Sequence, residues 1–348
     1  MIRIFTNGSI YLPYYDIFVE SSSYCLAVVD GSEFQVIYCS ETYDKTEEIT
    51  DNEPLNFDED ILQISADIVT ILLLGSVFLV YSILPELQNK HGFMLRNYSG
   101  AVFVAYGIDL VYIFIKSDIQ YPVCVTIAFL YFLSIISSYL WLTIMSFDMW
   151  CTFRGFCSLQ RNIIREKRKL IYYTIFAWGC PFVLAILSVS MEILSAYVKV
   201  PPILRPEFYL ANCWFNETGP YVLYFYGLSS MCVISSNCLS IYTALKIARF
   251  KKESGPCLKD SENKCFNDNK KWFNLYLQLF IVLFILIGIQ WLMITASLAD
   301  NVYEIYYWYG MSLMDIMQSL CVFIIFVCKK RIKRMLFKRF GCGLSPNT

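Results

Sequence analysis

The chain divides into a polar first sixth and a long remainder in which apolar runs alternate with short polar segments. A helix needs about 20 predominantly apolar residues to cross a bilayer, and seven runs approach or exceed that length. The second and seventh runs are each broken by one acid, Asp109 and Asp315 respectively. The runs cover residues 68–85, 97–115, 119–147, 170–191, 218–245, 272–299 and 305–328. This pattern predicts an all-α membrane protein built as a seven-helix bundle.

Residues 1–60 have a different character, with 13 acidic residues against only Arg3 and Lys45. Tyr, Phe and Val alternate loosely with polar residues in 9–19 and 32–38, which favours short strands. We therefore predict a small β-rich segment and acidic linker at 1–60, a seven-helix domain at 61–328, and a tail at 329–348.

Lys and Arg are unevenly distributed among the segments between the apolar runs. Alternate segments and the tail hold 23 of the 28 basic residues, and such segments stay in the cytoplasm. The basic segments are 90–96, 154–169, 246–271 and 329–339. This distribution predicts an odd number of helices, with an extracellular N-terminus and a cytoplasmic C-terminus.

The tail places apolar residues at helical spacing between cations over 329–340. The apolar positions are Ile332, Met335, Leu336 and Phe340. We expect a short amphipathic helix that contacts membrane lipid at the inner leaflet. Cys342 follows this helix and is a candidate for palmitoylation, or it is simply unmodified.

Composition supports the membrane assignment and excludes several classes of function. The chain is 57% hydrophobic and 16% charged, whereas a soluble domain is about 25% charged. Its net charge of −1 gives no reason to expect a nucleic-acid partner. The single histidine, His91, and the lack of paired Cys-x-x-Cys spacing argue against a metal, a cofactor or a membrane hydrolase.

Polar residues within the apolar runs are candidates for function, because acids inside a bilayer are costly and usually face the protein interior. We expect Asp109 and Asp315 to form an intramembrane network with Asn237 and Gln290. The alternative is that one or both acids lie near a helix end and reach the headgroups. Asp148 lies near the end of the third run, where we expect it to reach the headgroups.

Two cysteines lie on the predicted outer side of the bundle. Cys124 is at the outer end of the third run, and Cys213 lies in the segment before the fifth. An oxidising compartment permits a disulfide between them, which would fasten the longest outer segment to the third helix. The alternative is two unpaired cysteines near the interface.

The outer side also carries candidate modification sites. Cys25 and Cys39 form a possible second disulfide pair within the N-terminal segment. Asn7 and Asn216 each begin an Asn-x-Ser/Thr sequence, so we expect both to be glycosylation acceptors.

A resemblance to a known family emerges around the third run. Residues 132–155 read FLSIISSYLWLTIMSFDMWCTFRG, which resembles the third helix of the insect Methuselah-type G-protein-coupled receptors, relatives of the secretin and adhesion receptors. Shorter similarities follow in the family's order at LQNKHG (87–92), YTIFAWGCP (173–181), Cys213-Trp214, LYFYG (223–227), GIQW (288–291) and residues 318–330. Residues 11–39 are similar to the last strands of the family's ectodomain, so the resemblance implies a truncated ectodomain.

The resemblance implies a receptor of the plasma membrane, in which an extracellular, peptide-like ligand alters the bundle and a heterotrimeric G protein responds. It places the G-protein contact on the basic inner segments, at Arg154, Arg165, Lys246 and Arg249. Two alternatives remain open: a seven-helix derivative that does not signal, and a transporter or channel. Transporters often contain internal repeats, and the sequence contains none.

The predicted orientation can be tested with an Asn-x-Thr glycosylation tag fused to each end of the chain in turn. Only the lumenal side of the secretory membrane is glycosylated, so we expect the N-terminal tag alone to acquire glycan. Both tags are placed on a chain that carries Asn7→Gln and Asn216→Gln, so that these acceptors contribute no glycan, and the measurement is an endoglycosidase-sensitive mobility shift. A glycosylated C-terminal tag would contradict the orientation.

Overall fold

A computed structural model of the chain describes five short strands before residue 39 and helices from residue 57 onwards. The described ranges of the helical part are 57–115, 119–154, 163–195, 197–198, 201–206, 213–215, 218–254, 260–299 and 304–340. The chain forms two compact units, residues 1–61 and 62–348.

The first unit contains two antiparallel sheets. Its strands are β1 (Arg3–Ile4), β2 (Ile10–Leu12), β3 (Ile17–Val19), β4 (Tyr24–Val29) and β5 (Glu33–Tyr38). β1, β2 and β3 pair in that order, and β4 and β5 form a hairpin. The three residues between β4 and β5 read Asp-Gly-Ser, a composition typical of hairpin turns.

Strands therefore occupy both segments in which alternation predicted them, and β1 and β4 are two additional strands outside those segments. In the hairpin Cys25 is paired with Ile37. Only the backbone of Cys25 is described, and Cys39 and Asn7 lie outside the described residues. The second disulfide and the Asn7 glycan stay predictions.

The second unit is helical, as predicted. Its helices are α1 (Phe57–Ile83), α2 (Lys90–Ile115), α3 (Tyr121–Arg154), α4 (Ile163–Ser195), α5 (Gly227–Ser254), α6 (Asp260–Ala299), α7 (Glu304–Phe326) and α8 (Lys330–Phe340). Among the described residues, six helices, α1 to α6, are long and apolar enough to cross a membrane. The number becomes seven when α7 and α8, which meet at a bend of 75°, are taken as one broken span. The seven-helix bundle with a short amphipathic C-terminal helix is thus confirmed.

α3 is the central helix and α4 the peripheral one. α3 packs against α2, α4, α5 and α6. In the most apolar 18-residue stretch of α3, half of the residues are buried, compared with 17% in the corresponding stretch of α4. Large side chains such as Tyr172, Ile175 and Val183 on α4 are exposed in the isolated chain. In a bilayer such side chains are solvated by acyl chains, so exposure there costs no hydrophobic free energy.

The start of α2 corrects the view that the first basic segment is a loop. Lys90 and Arg96 both lie inside α2, which follows a single 3-10 turn at Pro85–Leu87. The Asn89 side chain accepts a hydrogen bond from the Gly92 backbone N–H at 2.9 Å. This contact caps the helix before the apolar run begins, because Asn satisfies one of the unpaired N–H groups of the first turn.

The fifth span begins with an irregular segment. A short α-helical turn at Thr218–Pro220 leads into a π-helix at Tyr221–Tyr226, and α5 continues from Gly227. π-helical turns are rare and frequently occur at functional sites. Here the π-helix carries four aromatic residues, and two of them, Tyr224 and Phe225, pack against aromatic side chains that follow Cys213.

α8 packs against the bundle through part of its predicted apolar face. Ile332 is buried, and Met335 and Leu336 pack against the core. Phe337 lies on another side of the helix and is 75% exposed. The side chain of Phe340 is not described, and Cys342 lies outside the described residues. Palmitoylation of Cys342 remains a prediction.

Gly92 occupies a position where a side chain does not fit, since a Cβ atom there would collide with the Leu87 carbonyl oxygen. We expect Gly92→Ala to destabilise the protein by about 1–3 kcal/mol, the usual cost of overpacking. The measurement is the melting temperature of the purified full chain in lipid nanodiscs. Gly179→Ala and Gly288→Ala are matched controls, because no atom lies within 4 Å of a Cβ at either position. An equal melting temperature for Gly92→Ala and the controls would refute the steric explanation.

Candidate functional site

A disulfide joins Cys124, in the first turn of α3, to Cys213 in the segment before the fifth span. The Cα atoms are 5.0 Å apart and the bond closes 89 residues of sequence. Cys213 has a backbone φ of 49°, a conformation that non-glycine residues seldom adopt. The predicted disulfide is confirmed, and it defines one end of the bundle, here called the disulfide end.

Aromatic side chains pack beneath the disulfide. Trp214 meets Tyr131 of α3 edge to face, with ring centroids 4.8 Å apart. Phe215 lies parallel to Tyr224 of the π-helix at 5.8 Å. Further contacts of Trp214 are with Phe132 and Phe225. The segment after Cys213 is therefore inserted between α3 and the start of the fifth span.

The two predicted intramembrane acids lie close to a third acid, Asp67 of α1. Asp67 neighbours both Asp109 of α2 and Asp315 of α7, so the three form a carboxyl cluster between three helices. The Gln63 side-chain amide donates a hydrogen bond to Asp109 Oδ2 at 3.1 Å. Tyr106 faces Asp315. Asp67 is only 3% exposed, and its side chain shares a hydrogen bond with the side chain of Asp109.

The structure places Asn237 and Gln290 in other contacts. The Asn237 side-chain amide donates hydrogen bonds to the carbonyls of Val233 (2.9 Å) and Phe280 (3.2 Å), linking α5 to α6. Gln290 Oε1 accepts a hydrogen bond from the Tyr226 hydroxyl at 3.1 Å. The predicted network thus divides into a carboxyl cluster on α1, α2 and α7 and amide contacts between the fifth and sixth spans.

A third polar group lies at the end of the bundle opposite the disulfide. Lys90 Nζ of α2 is 2.9 Å from Asp148 Oδ2 of α3 and donates a hydrogen bond to Thr152 Oγ1 at 3.0 Å. The Tyr173 hydroxyl of α4 donates to Asp148 Oδ1 at 3.4 Å. Asp148 is 5% exposed, so the expectation that it reaches the headgroups was wrong. A lysine within reach keeps the carboxylate inside the bundle.

His91, the next residue after Lys90, connects α2 to α6. Its Nε2 lies 3.3 Å from the Asn269 side-chain oxygen, and its ring stacks on Trp272. The Tyr276 hydroxyl donates to the His91 carbonyl at 3.2 Å. We call these contacts, at the end of the bundle opposite the disulfide, the basic-end network. Its members are Lys90, His91, Asp148, Tyr173, Asn269 and Tyr276. This network joins α2, α3, α4 and α6 by side chains.

The predicted G-protein-facing residues surround this end of the bundle. Arg154, the last residue of α3, is exposed, and its guanidinium lies 5.0 Å from the Trp150 ring centroid. Lys246 is half-buried and Arg249 is exposed, both near the end of α5. Only the backbone of Arg165 is described, and Asn216 lies outside the described residues.

Sequence reasoning missed Asp67 and the pairing of Lys90 with Asp148. Asp67 directly precedes the first apolar run, and the run was counted only from the next residue. A helical wheel extended one turn backwards would have placed Asp67 and Thr70 on one face, and Thr70 meets Ser319 of α7 at 3.4 Å. The described residues contain no group of three or more His, Cys, Asp or Glu side chains that could hold a metal ion.

Up to seven apolar spans among the described residues, with a disulfide between the third helix and the segment before the fifth, define a seven-helix membrane protein. The family model described as 7 transmembrane receptor (Secretin family) matches residues 61–324, and the chain belongs to this family.

Within the family the chain is similar to Methuselah-type receptors of flies, as the third-helix motif predicted. It is 29% identical over 268 residues to the G-protein coupled receptor Mth2 of Drosophila yakuba, covering 75% of this chain and 48% of the relative. It is 28% identical over 273 residues to the probable G-protein coupled receptor Mth-like 10 of Drosophila melanogaster, covering 75% and 46%. For the receptor Mth of the same fly the identity is 25% over 342 residues, covering 96% and 62%. The chain thus spans about half the length of Mth2 and Mth-like 10.

The disulfide predicts a specific pattern of mutational effects. We expect Cys124→Ser and Cys213→Ser each to lower the stability of the protein by about 2–4 kcal/mol, because the loss of the cross-link frees an 89-residue loop in the unfolded chain. The double variant should be no less stable than either single variant. The measurement is thermal unfolding in nanodiscs, with Cys238→Ser, at an exposed free cysteine, as the control. Additive losses would show that the two residues act independently.

Proposed function

We propose that the chain is a G-protein-coupled receptor of the plasma membrane that passes an extracellular peptide signal to a heterotrimeric G protein. The disulfide end faces outwards, and the opposite end, which carries the basic-end network, faces the cytoplasm. Membership of the secretin receptor family and similarity to proteins named as G-protein coupled receptors support this proposal. The distribution of basic residues supports the orientation.

The observation that carries the proposal is the basic-end network. Its charged pair, Lys90 and Asp148, is largely buried and joins α2 to α3, while His91 and Tyr276 join α2 to α6. An interaction between helices at the cytoplasmic end favours one arrangement of those helices over others. A ligand that binds another arrangement more tightly shifts the population towards that arrangement. The free energy of this shift cannot exceed the difference between the ligand's binding free energies for the two arrangements.

The energies involved suit a switch of this kind. Removal of one partner from a buried ion pair typically costs about 3–5 kcal/mol, because the other charge is left unpaired. The same pair in an open cytoplasmic end would be solvated by water, so opening can proceed without an unpaired buried charge. The network thus stabilises a closed state without making it permanent.

The G protein is proposed to contact the basic end once the helices separate. Arg154 and Arg249 are exposed at the ends of α3 and α5, and Lys246 lies one turn before Arg249. Arg165 begins the fourth span on the same side. These cations complement an acidic surface or a C-terminal carboxylate of the partner. Such charge complementarity determines the orientation and the rate of association as much as the affinity.

We expect Lys90→Met and Asp148→Asn each to raise ligand-independent signalling by about tenfold, which corresponds to about 1.4 kcal/mol in favour of the open state. The exchange variant Lys90→Asp/Asp148→Lys should return signalling towards the original level, because it restores an ion pair of the opposite direction. The measurement is a reporter for each class of G protein, in cells with equal surface amounts of each variant.

Lys271→Met is the matched control. Lys271 forms an exposed ion pair with Asp268, and both residues are close in sequence to Asn269 of the basic-end network. Exposed pairs contribute about 0–1 kcal/mol, so this variant should signal as the original chain does. Silence of the original chain and of all variants in every reporter, at normal surface amounts, would favour the non-signalling derivative.

A further inference from the structure

The short helix α8 and the residue before it carry a dense positive charge that the described part of the chain does not neutralise. Residues 329–339 contain seven Lys and Arg side chains, and all seven are exposed. No Asp or Glu follows Asp315 in the sequence. The ion pairs among the described residues lie in α2, α3 and α6 and include none of these cations. The counter-charge for α8 must therefore come from another molecule.

The junction between α7 and α8 fixes the direction of α8. Three residues separate the two helices, and the axes meet at 75°. Backbone hydrogen bonds hold the turn, with the Val327 N–H donating to the Phe323 carbonyl and the Lys329 N–H to the Val327 carbonyl, both at 2.8 Å. Because α7 crosses the membrane, a helix at this angle to it lies nearly parallel to the bilayer surface.

α8 has apolar side chains on two different sides, and the bundle uses one of them. Ile332 is buried, and Met335 and Leu336 pack against the core. Phe337 is 75% exposed. An α-helix turns by about 100° per residue, so Phe337 points about 140° away from Ile332. The side of α8 predicted from apolar periodicity therefore packs within the protein, and Phe337 belongs to a second side that remains open.

Cations surround Phe337 on this second side. Lys330, Lys333 and Arg334 precede it by seven, four and three residues, a spacing that places all four on one helix face. Membrane topology accounts for positive charge at this end of the bundle, but not for a large exposed aromatic ring among the cations. A ring that enters the bilayer at the level of the headgroups, while the cations extend to the phosphates, satisfies both kinds of side chain.

We propose that this face of α8, defined by Lys330, Lys333, Arg334 and Phe337, binds an anionic lipid whose headgroup carries several phosphates. The inference goes beyond the proposed receptor function and shares only its orientation, because the cytoplasmic leaflet is the anionic one. Clusters of about four to eight basic residues directly after a membrane span are typical of sites for such lipids. The planar guanidinium of Arg334 matches two phosphate oxygens, and the lysines add point charges for the remaining phosphates.

A phosphorylated lipid fits this face better than a soluble phosphate compound or a protein does. A soluble compound would complement the cations and leave the Phe337 ring in water. A protein groove that accepts a basic amphipathic helix binds the apolar face of that helix, and Ile332 holds this face of α8 against the bundle. The lipid supplies phosphates for the cations and acyl chains for the ring.

The proposal can be tested by native mass spectrometry of the purified full chain in detergent, which resolves each bound lipid. The probes are phosphatidylinositol bisphosphate and phosphatidylcholine with the same acyl chains. We expect the bisphosphate to bind tighter by about tenfold or more. Added salt should weaken the binding of the bisphosphate alone, because salt screens exposed charges. Equal affinities for the two lipids would overturn the proposal.

A charge-removing variant locates the site. Lys330→Gln/Lys333→Gln/Arg334→Gln should weaken binding of the bisphosphate by about a hundredfold, because each basic residue near an anionic lipid surface strengthens binding by about fivefold. The three side chains are exposed, so we expect the variant to fold, and the salt dependence of the unchanged chain provides a measurement without any substitution. Undiminished binding by the folded variant would contradict the assignment to α8.

The matched control removes three exposed cations from another helix at the same end of the bundle. Lys167→Gln/Arg168→Gln/Lys169→Gln changes the start of α4 and lowers the charge of the chain by the same amount. It should bind the bisphosphate as the unchanged chain does. Equal losses in the two triple variants would show that total charge, and not the face of α8, attracts the lipid.

Phe337→Ala distinguishes the lipid from other partners. It should weaken bisphosphate lipid binding by about tenfold, because an aromatic ring is no longer buried, and leave binding of soluble inositol trisphosphate unchanged. If the soluble compound binds as tightly as the lipid and Phe337→Ala alters neither, the ligand is a free phosphate and the lipid assignment is overturned. Binding of calcium-loaded calmodulin without any lipid preference would overturn it in favour of a protein partner.

These measurements require neither a G protein nor a receptor ligand. Absence of a preference for the bisphosphate, with signalling intact, overturns this inference alone. Silent reporters together with the expected lipid preference overturn only the proposed function.

Discussion

The structure depends on one constraint: within a bilayer there is no water to satisfy a polar group, so each must find its partner inside the bundle. Asn237 meets this constraint with two carbonyls, and Asp148 meets it with Lys90. These contacts determine which helix faces turn inwards, because lipid solvates apolar side chains on every face equally well. Helix packing in this protein is therefore specified as much by its few polar side chains as by its many apolar ones.

The polar groups differ in how completely the bundle satisfies them. Asn237 and Gln290 are hydrogen-bonded between neighbouring helices and act as fixed joints of the fifth and sixth spans. The Lys90–Asp148 pair is largely buried and satisfied too. The acids Asp67, Asp109 and Asp315 instead take their partners from one another, Gln63 and Tyr106, with no cation among the described residues that act on them.

Composition and periodicity predicted the seven helices and the amphipathic α8, because both are encoded in local sequence. The possibility of the disulfide followed from the predicted topology, which places Cys124 and Cys213 on the same side of the membrane. The contacts of Asp109 and Asp315 were only partly predictable. Both residues stood out as acids within apolar runs, but which helix faces meet depends on packing between residues far apart in sequence, such as Thr70 and Ser319. Lys90 was assigned to a loop because a charge next to an apolar run resembles a boundary. Its partner on α3 removes the cost of burial, and no local pattern reveals that.

The disulfide has a further consequence for the topology of the chain. Cys124 and Cys213 are separated by 89 positions, and the segment between them contains nearly all of α3 and the whole of α4. The most buried helix and the least buried one are thus members of a single covalent ring that crosses the membrane twice. α4 has little interior surface of its own to hold it in place. Its membership of the ring limits how far it can diffuse from α3, so a loosely packed helix remains attached to the centre of the receptor while other helices move.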